Sequence, residues 1–101
     1  MRRRARVDAN QEAVVKAIRS YGMSVKVISS MGKGVPDLAV GYQGLTCLLE
    51  VKDGDKSASR TKLTPDEQRF ADSWRGHRAV VYTAEEAIQE VLEHARGAGR
   101  L

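Results

Sequence analysis

The sequence predicts an α/β fold of order α-β-β-β-α-β-α, with a mixed four-stranded sheet flanked by helices. Three observations carry that prediction. Apolar residues recur at helical spacing around Ile18 and again around Val91. Between them lie three apolar, β-branched runs separated by short Gly-containing turns. A capped helix then leads to a fourth run, Ala79-Val80-Val81, and this strand–helix–strand crossover following a meander makes the sheet mixed.

The first helix starts at Asp8, an N-cap with Gln11 three residues on as in a capping box. Val14, Val15, Ile18 and Tyr21 form its apolar face, and Gly22 supplies a left-handed stop. Ser24 to Ser29 alternates as a strand. Ser30 to Gly34 reads as a flexible loop. Pro36 to Gly41 and Leu45 to Lys52 are two further strands around Tyr42-Gln43-Gly44. Thr64-Pro65-Asp66-Glu67 combines a Thr cap, Pro at the first helical position and Glu at the third. Phe70, Ala71 and Trp74 line one face of that helix as core, and Gly76 ends it. His77 to Tyr82 is the fourth strand. Thr83 to Glu86 repeats the capping box, and Ala87, Ile88, Val91, Leu92 and Ala95 face inward until Gly97 stops the last helix.

The 101 residues suit one domain, with residues 1–7 a basic arm and 97–101 a flexible tail. With 42% hydrophobic residues and charges of both signs, the chain is expected to be ordered. The single cysteine, Cys47, excludes an internal disulfide and a Cys-based zinc site and fits a reducing compartment. The longest uncharged stretch, Leu38 to Leu49, falls short of the ~20 residues a membrane helix needs. Arg2, Arg3, Arg4 and Arg6 are followed by no apolar segment, so no signal peptide is expected, and a soluble cytoplasmic protein is. A net charge of +4 favours a polyanionic partner.

The feature that carries chemistry is Pro36-Asp37, twelve residues, then Glu50-Val51-Lys52. Two acids and a lysine interrupt otherwise apolar strands. Glu50 and Lys52 share a strand face. A two-residue turn at Gln43-Gly44 sets Asp37 directly across from Glu50, where two carboxylates ~5 Å apart repel; a three-residue loop would shift that register by one and need a bulge to restore it. A hard divalent cation, Mg²⁺ or Mn²⁺, removes the repulsion by taking oxygens from Asp37, Glu50 and the Val51 carbonyl. Lys52 beside them can orient or deprotonate a water, or neutralise charge on a phosphate. The competing readings are an ion pair between Lys52 and either acid, and Asp37 as a turn residue after Pro36.

Gly34-Val35-Pro36-Asp37-Leu38 followed by Leu49-Glu50-Val51-Lys52 resembles the signature of the PD-(D/E)XK nuclease superfamily. More narrowly, it resembles the stand-alone virus-type replication-repair nuclease (VRR-Nuc) domains, and Leu63 to Gln68 is similar to that family's LxxxQ helix start. The resemblance runs from about Asn10 to Ile88 and implies a restriction-endonuclease-like fold. It further implies that Asp37 and Glu50 hold the metal and that Lys52 serves the attacking water. Gln68 resembles the motif glutamine that reaches the catalytic centre; its alternative is an ordinary polar helix residue. Glu12 is the first-helix acid that could complete the metal site, its alternative an exposed pair with Lys16 worth ~0.2–0.5 kcal/mol.

Lys33, Lys56, Arg60 and Lys62 flank the motif, and with Arg2, Arg3 and Arg4 they are the candidate phosphate contacts, against the alternative of a solvated surface. His77 and His94 have no ligand partners at metal spacing, Phe70 and Trp74, four apart on a helix, are read as core rather than as a base-stacking platform, and Gly32 and Gly34 lack the ending of a phosphate loop. The expected protein is a Mg²⁺-dependent DNA endonuclease, with Mn²⁺ substituting, and four-way (Holliday) junctions are the leading substrate through the resemblance. The alternatives are a nicking or flap nuclease, and a non-catalytic basic DNA-binding module on the same fold. Two symmetric cuts in a junction require a homodimer, with Tyr42 or the final helix as the expected interface.

Overall fold

Residues 9–53 and 62–101 are described by a computed structural model of the chain. The Asp8 cap, the basic arm with Arg2, Arg3, Arg4 and Arg6, and the loop cations Lys56 and Arg60 lie outside the described residues. Helix α1 (Ala9–Tyr21) precedes β1 (Ser24–Val27), a short 3₁₀ turn (Ser29–Met31), β2 (Leu38–Tyr42) and β3 (Leu45–Val51). Then follow α2 (Pro65–Ser73), β4 (Arg78–Val81) and α3 (Ala84–Gly97). The sheet runs in the order β1-β2-β3-β4; the first three strands are antiparallel and β4 joins β3 in parallel. The expected α/β architecture and mixed sheet are those of the molecule.

The β2–β3 hairpin turns through Gln43 and Gly44, both at positive φ (54° and 78°), as a two-residue turn requires. Tyr42 therefore faces Leu45, and the ladder closes on Leu38 opposite Leu49. Residues from Cys47 to Val51 are all buried, as expected of an inner strand covered on both faces. Cys47, Leu49 and Val51 point into a core with Val14, Val15 and Ile18 of α1, Leu38 and Val40 of β2, Val81, and Ala87 and Val91 of α3. Cutting a fully buried leucine such as Leu49 to alanine costs about 2–5 kcal/mol in such a core. By strand alternation Glu50 and Lys52 emerge on the other face of the sheet, away from α1 and α3.

Several boundaries differ from the sequence reading. β1 ends at Val27 because Ile28 leaves the extended region (φ −121°, ψ 10°) to start the 3₁₀ turn, which occupies part of the expected flexible loop. β2 begins at Leu38, since Pro36 has no N–H for the ladder. Tyr21 is half exposed, set edge-on to Tyr42 at 6.4 Å rather than packed in the core. Helix α2 stops at Ser73, and Trp74 takes extended dihedrals ahead of Gly76. Phe70 and Trp74 are not core: no residue of α2 is buried. At Thr83 only half of the capping box forms, because the Glu86 carboxylate accepts from the Tyr82 N–H (2.7 Å). The last helix runs through Gly97, and Gly99 holds the positive φ. Its tail is tied back, with the Arg100 guanidinium donating to the Gln43 carbonyl at 2.6 Å.

Candidate active site

Asp37 sits one residue before the last β2–β3 pair, so the hairpin register continues it onto Glu50. No ladder bond reaches that far. Instead the Asp37 Oδ2 accepts from the Val51 N–H at 2.8 Å, a side chain standing in for the missing strand. The Asp37 carbonyl accepts from Ile28 N–H at 2.8 Å, which fixes its backbone to the end of β1. In a strand the N–H and C=O of one residue point the same way. The Val51 carbonyl is therefore turned toward Asp37, while the next N–H, of Lys52, turns the other way to the Val81 carbonyl (2.9 Å).

Glu50 is only 5% exposed. Burial, then the negative charges of Asp37 and Glu67, push its carboxyl up to about 9, with Lys52 opposing. Burial also raises Asp37 against the pull of the Val51 N–H and a hydrogen bond with Glu50. At neutral pH the facing acids thus hold a proton between them, which relieves the repulsion the register creates.

Lys52 lies 3.8 Å from Glu50 and 2.9 Å from Glu67. Glu67 is the residue the sequence reading missed. Its Oε1 also accepts from Thr64 N–H (2.9 Å), while Thr64 Oγ1 accepts from Glu67 N–H (3.2 Å). Burial works to raise Glu67, but the Thr64 N–H and Lys52 outweigh it and hold the carboxylate below its ordinary range. Gln68 is not brought to this centre. It is exposed, donating to Asp72 at 2.9 Å. An LxxxQ spacing counted from Leu63 falls on residue 67, and one helical residue further turns a side chain by about 100°.

Two further supports were invisible in the sequence. Asn10 of α1 donates through Nδ2 to the carbonyls of Lys52 (3.1 Å) and Tyr82 (3.2 Å), clamping the ends of β3 and β4. Gly34, at φ 79°, packs against α2 so closely that a Cβ would fall 2.2 Å from the Asp66 carbonyl oxygen. The loop that carries Asp37 and the helix that carries Glu67 are thereby held together.

Glu12 is exposed on the wall of an open groove between α1 and β1, with Lys16, Arg19 and Val27, and is not gathered with Asp37 and Glu50. Lys33 lies beside α2 and Lys62 is exposed just before it. Among the described residues no three His, Cys, Asp or Glu side chains converge to hold an ion by themselves. Asp37, Glu50 and the Val51 carbonyl nevertheless form an all-oxygen donor set. That set fits Mg²⁺, which keeps several waters and substrate phosphate oxygens when bound to one or two carboxylates.

The chain matches no family model and no curated protein. A solved structure, a VRR_NUC domain, superposes on it with a TM-score of 0.60 and 26% identity, covering 83% of this chain and 90% of that one. Shared fold, facing Asp37 and Glu50, and a lysine two residues on agree with that likeness: the chain is similar to a VRR-Nuc domain and has its nuclease-type fold.

Proposed function

We propose that the protein is a divalent-metal-dependent DNA endonuclease that hydrolyses phosphodiester bonds, with four-way junctions as its leading substrate. The observation that carries the reading is buried Glu50 and half-buried Asp37, set face to face past the end of the ladder with Lys52 beside them. Capping the Val51 N–H accounts for Asp37 but not for a second carboxyl, Glu50, buried opposite it, and a shared cation would account for both. Mg²⁺ or Mn²⁺ held by Asp37, Glu50 and the Val51 carbonyl would supply Lewis acidity and an acidified water.

The chain's own residues do the rest. Glu67 holds the Lys52 ammonium at the mouth of the pair, where it can orient the attacking water or offset charge growing on the phosphate. Water's oxygen forms the new P–O bond and the ester P–O bond breaks, its oxygen leaving with a proton. Lys33 and Lys62, with Lys56, Arg60, Arg2, Arg3 and Arg4, are proposed to contact phosphates. Glu12, in the groove between α1 and β1 and apart from the pair, is proposed only as an outer ligand, which Glu12→Ala tests. Among the described residues no helix is long and apolar enough to cross a membrane.

Incubation with labelled junction, flap and linear duplex DNA, with and without Mg²⁺ or Mn²⁺, tests the reading. Metal-dependent paired nicks in the junction, from a particle of twice the 11.1 kDa chain mass, are the expected result. A monomer that cuts flaps as readily would retain the nuclease and remove the resolvase. DNA binding with no cleavage under any metal would leave the non-catalytic module.

A further inference from the structure

Phe70 and Trp74 stack on α2 with ring centroids 5.1 Å apart and planes 18° apart. Such spacing usually marks a core face, yet Trp74 is 43% exposed. Phe70 lies on the helix face that carries Glu67, at i+3, and Trp74 follows as the C-cap, its N–H donating to the Phe70 carbonyl at 2.9 Å. With a rise of 1.5 Å per residue, Phe70 and Trp74 are rooted about 4.5 and 10 Å along the axis from Glu67. Nucleotides in a stacked strand follow one another at about 3.4 Å. Along the α2 axis the two rings are therefore offset from Glu67, which holds Lys52, by the span of about one to three stacked nucleotides.

Phe70 also walls an open groove of about 240 Å³ with Lys33, Asp66, Arg69 and Ser73. Asp66 is ion-paired to Arg69, so Lys33 leaves the groove net cationic, the sign a phosphate requires. Lys33 is held at φ 58° in the loop that packs on α2 through Gly34. On the other side, the absent side chain of Gly76 makes room for the indole: a Cβ there would lie 2.9 Å from Trp74 Nε1.

We propose that the Phe70–Trp74 stack is a platform for an unpaired nucleobase of the DNA strand cut at the Asp37–Glu50–Lys52 centre. The base extends the stack on the Phe70 side, and the adjoining phosphate lies toward Lys33 and Arg69. This rests on the metal-nuclease reading and, within it, favours the flap or fork substrate, with open nucleotides beside the cut, over a fully paired four-way junction. A continuous duplex keeps its base faces stacked on one another and offers none to the rings.

The full chain, in chelator so that nothing is cut, is titrated with two DNAs: a forked duplex carrying 2-aminopurine in its unpaired arm, and the same duplex fully paired. Fork binding is expected to quench the 2-aminopurine. Phe70→Leu and Trp74→Leu should each weaken fork binding about five- to a hundredfold and leave duplex binding nearly unchanged. Fork binding with unaltered emission overturns the platform, as do equal losses on both DNAs. Should a leucine variant loosen α2, the wild-type emission still decides. Failure of the wild-type chain to bind either DNA would strike the nuclease reading itself.

Discussion

The Glu67 carboxylate meets the Lys52 ammonium at 2.9 Å, through the same oxygen that accepts from the Thr64 N–H. One atom thus joins the strand lysine to the first turn of α2. Glu67→Ala removes the lysine's anchor and half of a capping box. It is expected to slow cleavage on the order of ten- to a hundredfold and to cost about 0.5–2 kcal/mol of stability. Glu67→Gln keeps an acceptor for both donors and should recover most of the stability and part of the rate. Single-turnover cleavage alongside thermal melting separates the two effects. An alanine variant that cuts at the wild-type rate removes Glu67 from the site.

Gln68 makes the contrasting case. Its amide donates to Asp72 four residues along the exposed helix surface. Gln68→Ala is expected to change stability by less than about 0.5 kcal/mol and cleavage hardly at all. A large loss of rate with an unchanged melting curve would mean that Gln68 swings to the centre when DNA binds.

The hairpin was legible because Gln43-Gly44 admits one tight turn, and the turn determines which residue Asp37 faces. Glu67 was not legible, since its capping signal accounts for a glutamate there without any site. Nothing in the sequence marks Asn10, whose two acceptors are backbone carbonyls 42 and 72 residues away. Phe70 and Trp74 have core spacing, but only the placement of α2 decides whether anything covers them. The cap at Thr83 failed in half because Glu86 found a nearer donor in Tyr82.

Asp37 separates ligand from structural roles. Its Oδ2 satisfies the Val51 N–H where β2 has ended. Asp37→Asn retains an acceptor there and removes a charge from beside Glu50, so in metal-free buffer it should be neutral or mildly stabilising. Asp37→Ala orphans that N–H and is expected to cost about 1–3 kcal/mol. Both variants should abolish cleavage and weaken Mg²⁺ or Mn²⁺ binding in calorimetry. An asparagine variant that still cuts would place the metal elsewhere.

Asn10 predicts a defect from a residue that touches no substrate. Asn10→Ala leaves the Lys52 and Tyr82 carbonyls without their shared donor, at a cost of about 1–3 kcal/mol. Lys52 then keeps its N–H bond to Val81 but loses the anchor on its carbonyl, so the cleavage rate should fall more than DNA affinity does. Asn10→Asp, which cannot donate when ionised, should behave like the alanine. Equal falls in rate and affinity would indicate general loosening of the domain rather than loss of the clamp.

Glu50 makes stability depend on pH in a definite sense. Its carboxyl titrates near 9 in the fold against an ordinary 4.5. Between those values the unfolded chain has lost a proton that the folded chain keeps. Stability is therefore fully present below about 4.5 and falls as pH rises, by up to about 1.4 kcal/mol per pH unit for one proton, until about 9. Asp37, also raised, adds to the fall from its own ordinary value upward. Glu67, lowered, acts oppositely and only on the acid side, where its contribution disappears as pH drops below the ordinary glutamate range. In chelator the melting temperature should thus decline from about pH 5 to about pH 9, and Glu50→Gln should flatten the decline. Added Mg²⁺ should restore more stability at alkaline than at acid pH, because an ion binds the deprotonated pair and displaces its proton. A wild-type profile that Glu50→Gln leaves unchanged would mean that Glu50 is already ionised in the fold and the pair carries no stored proton.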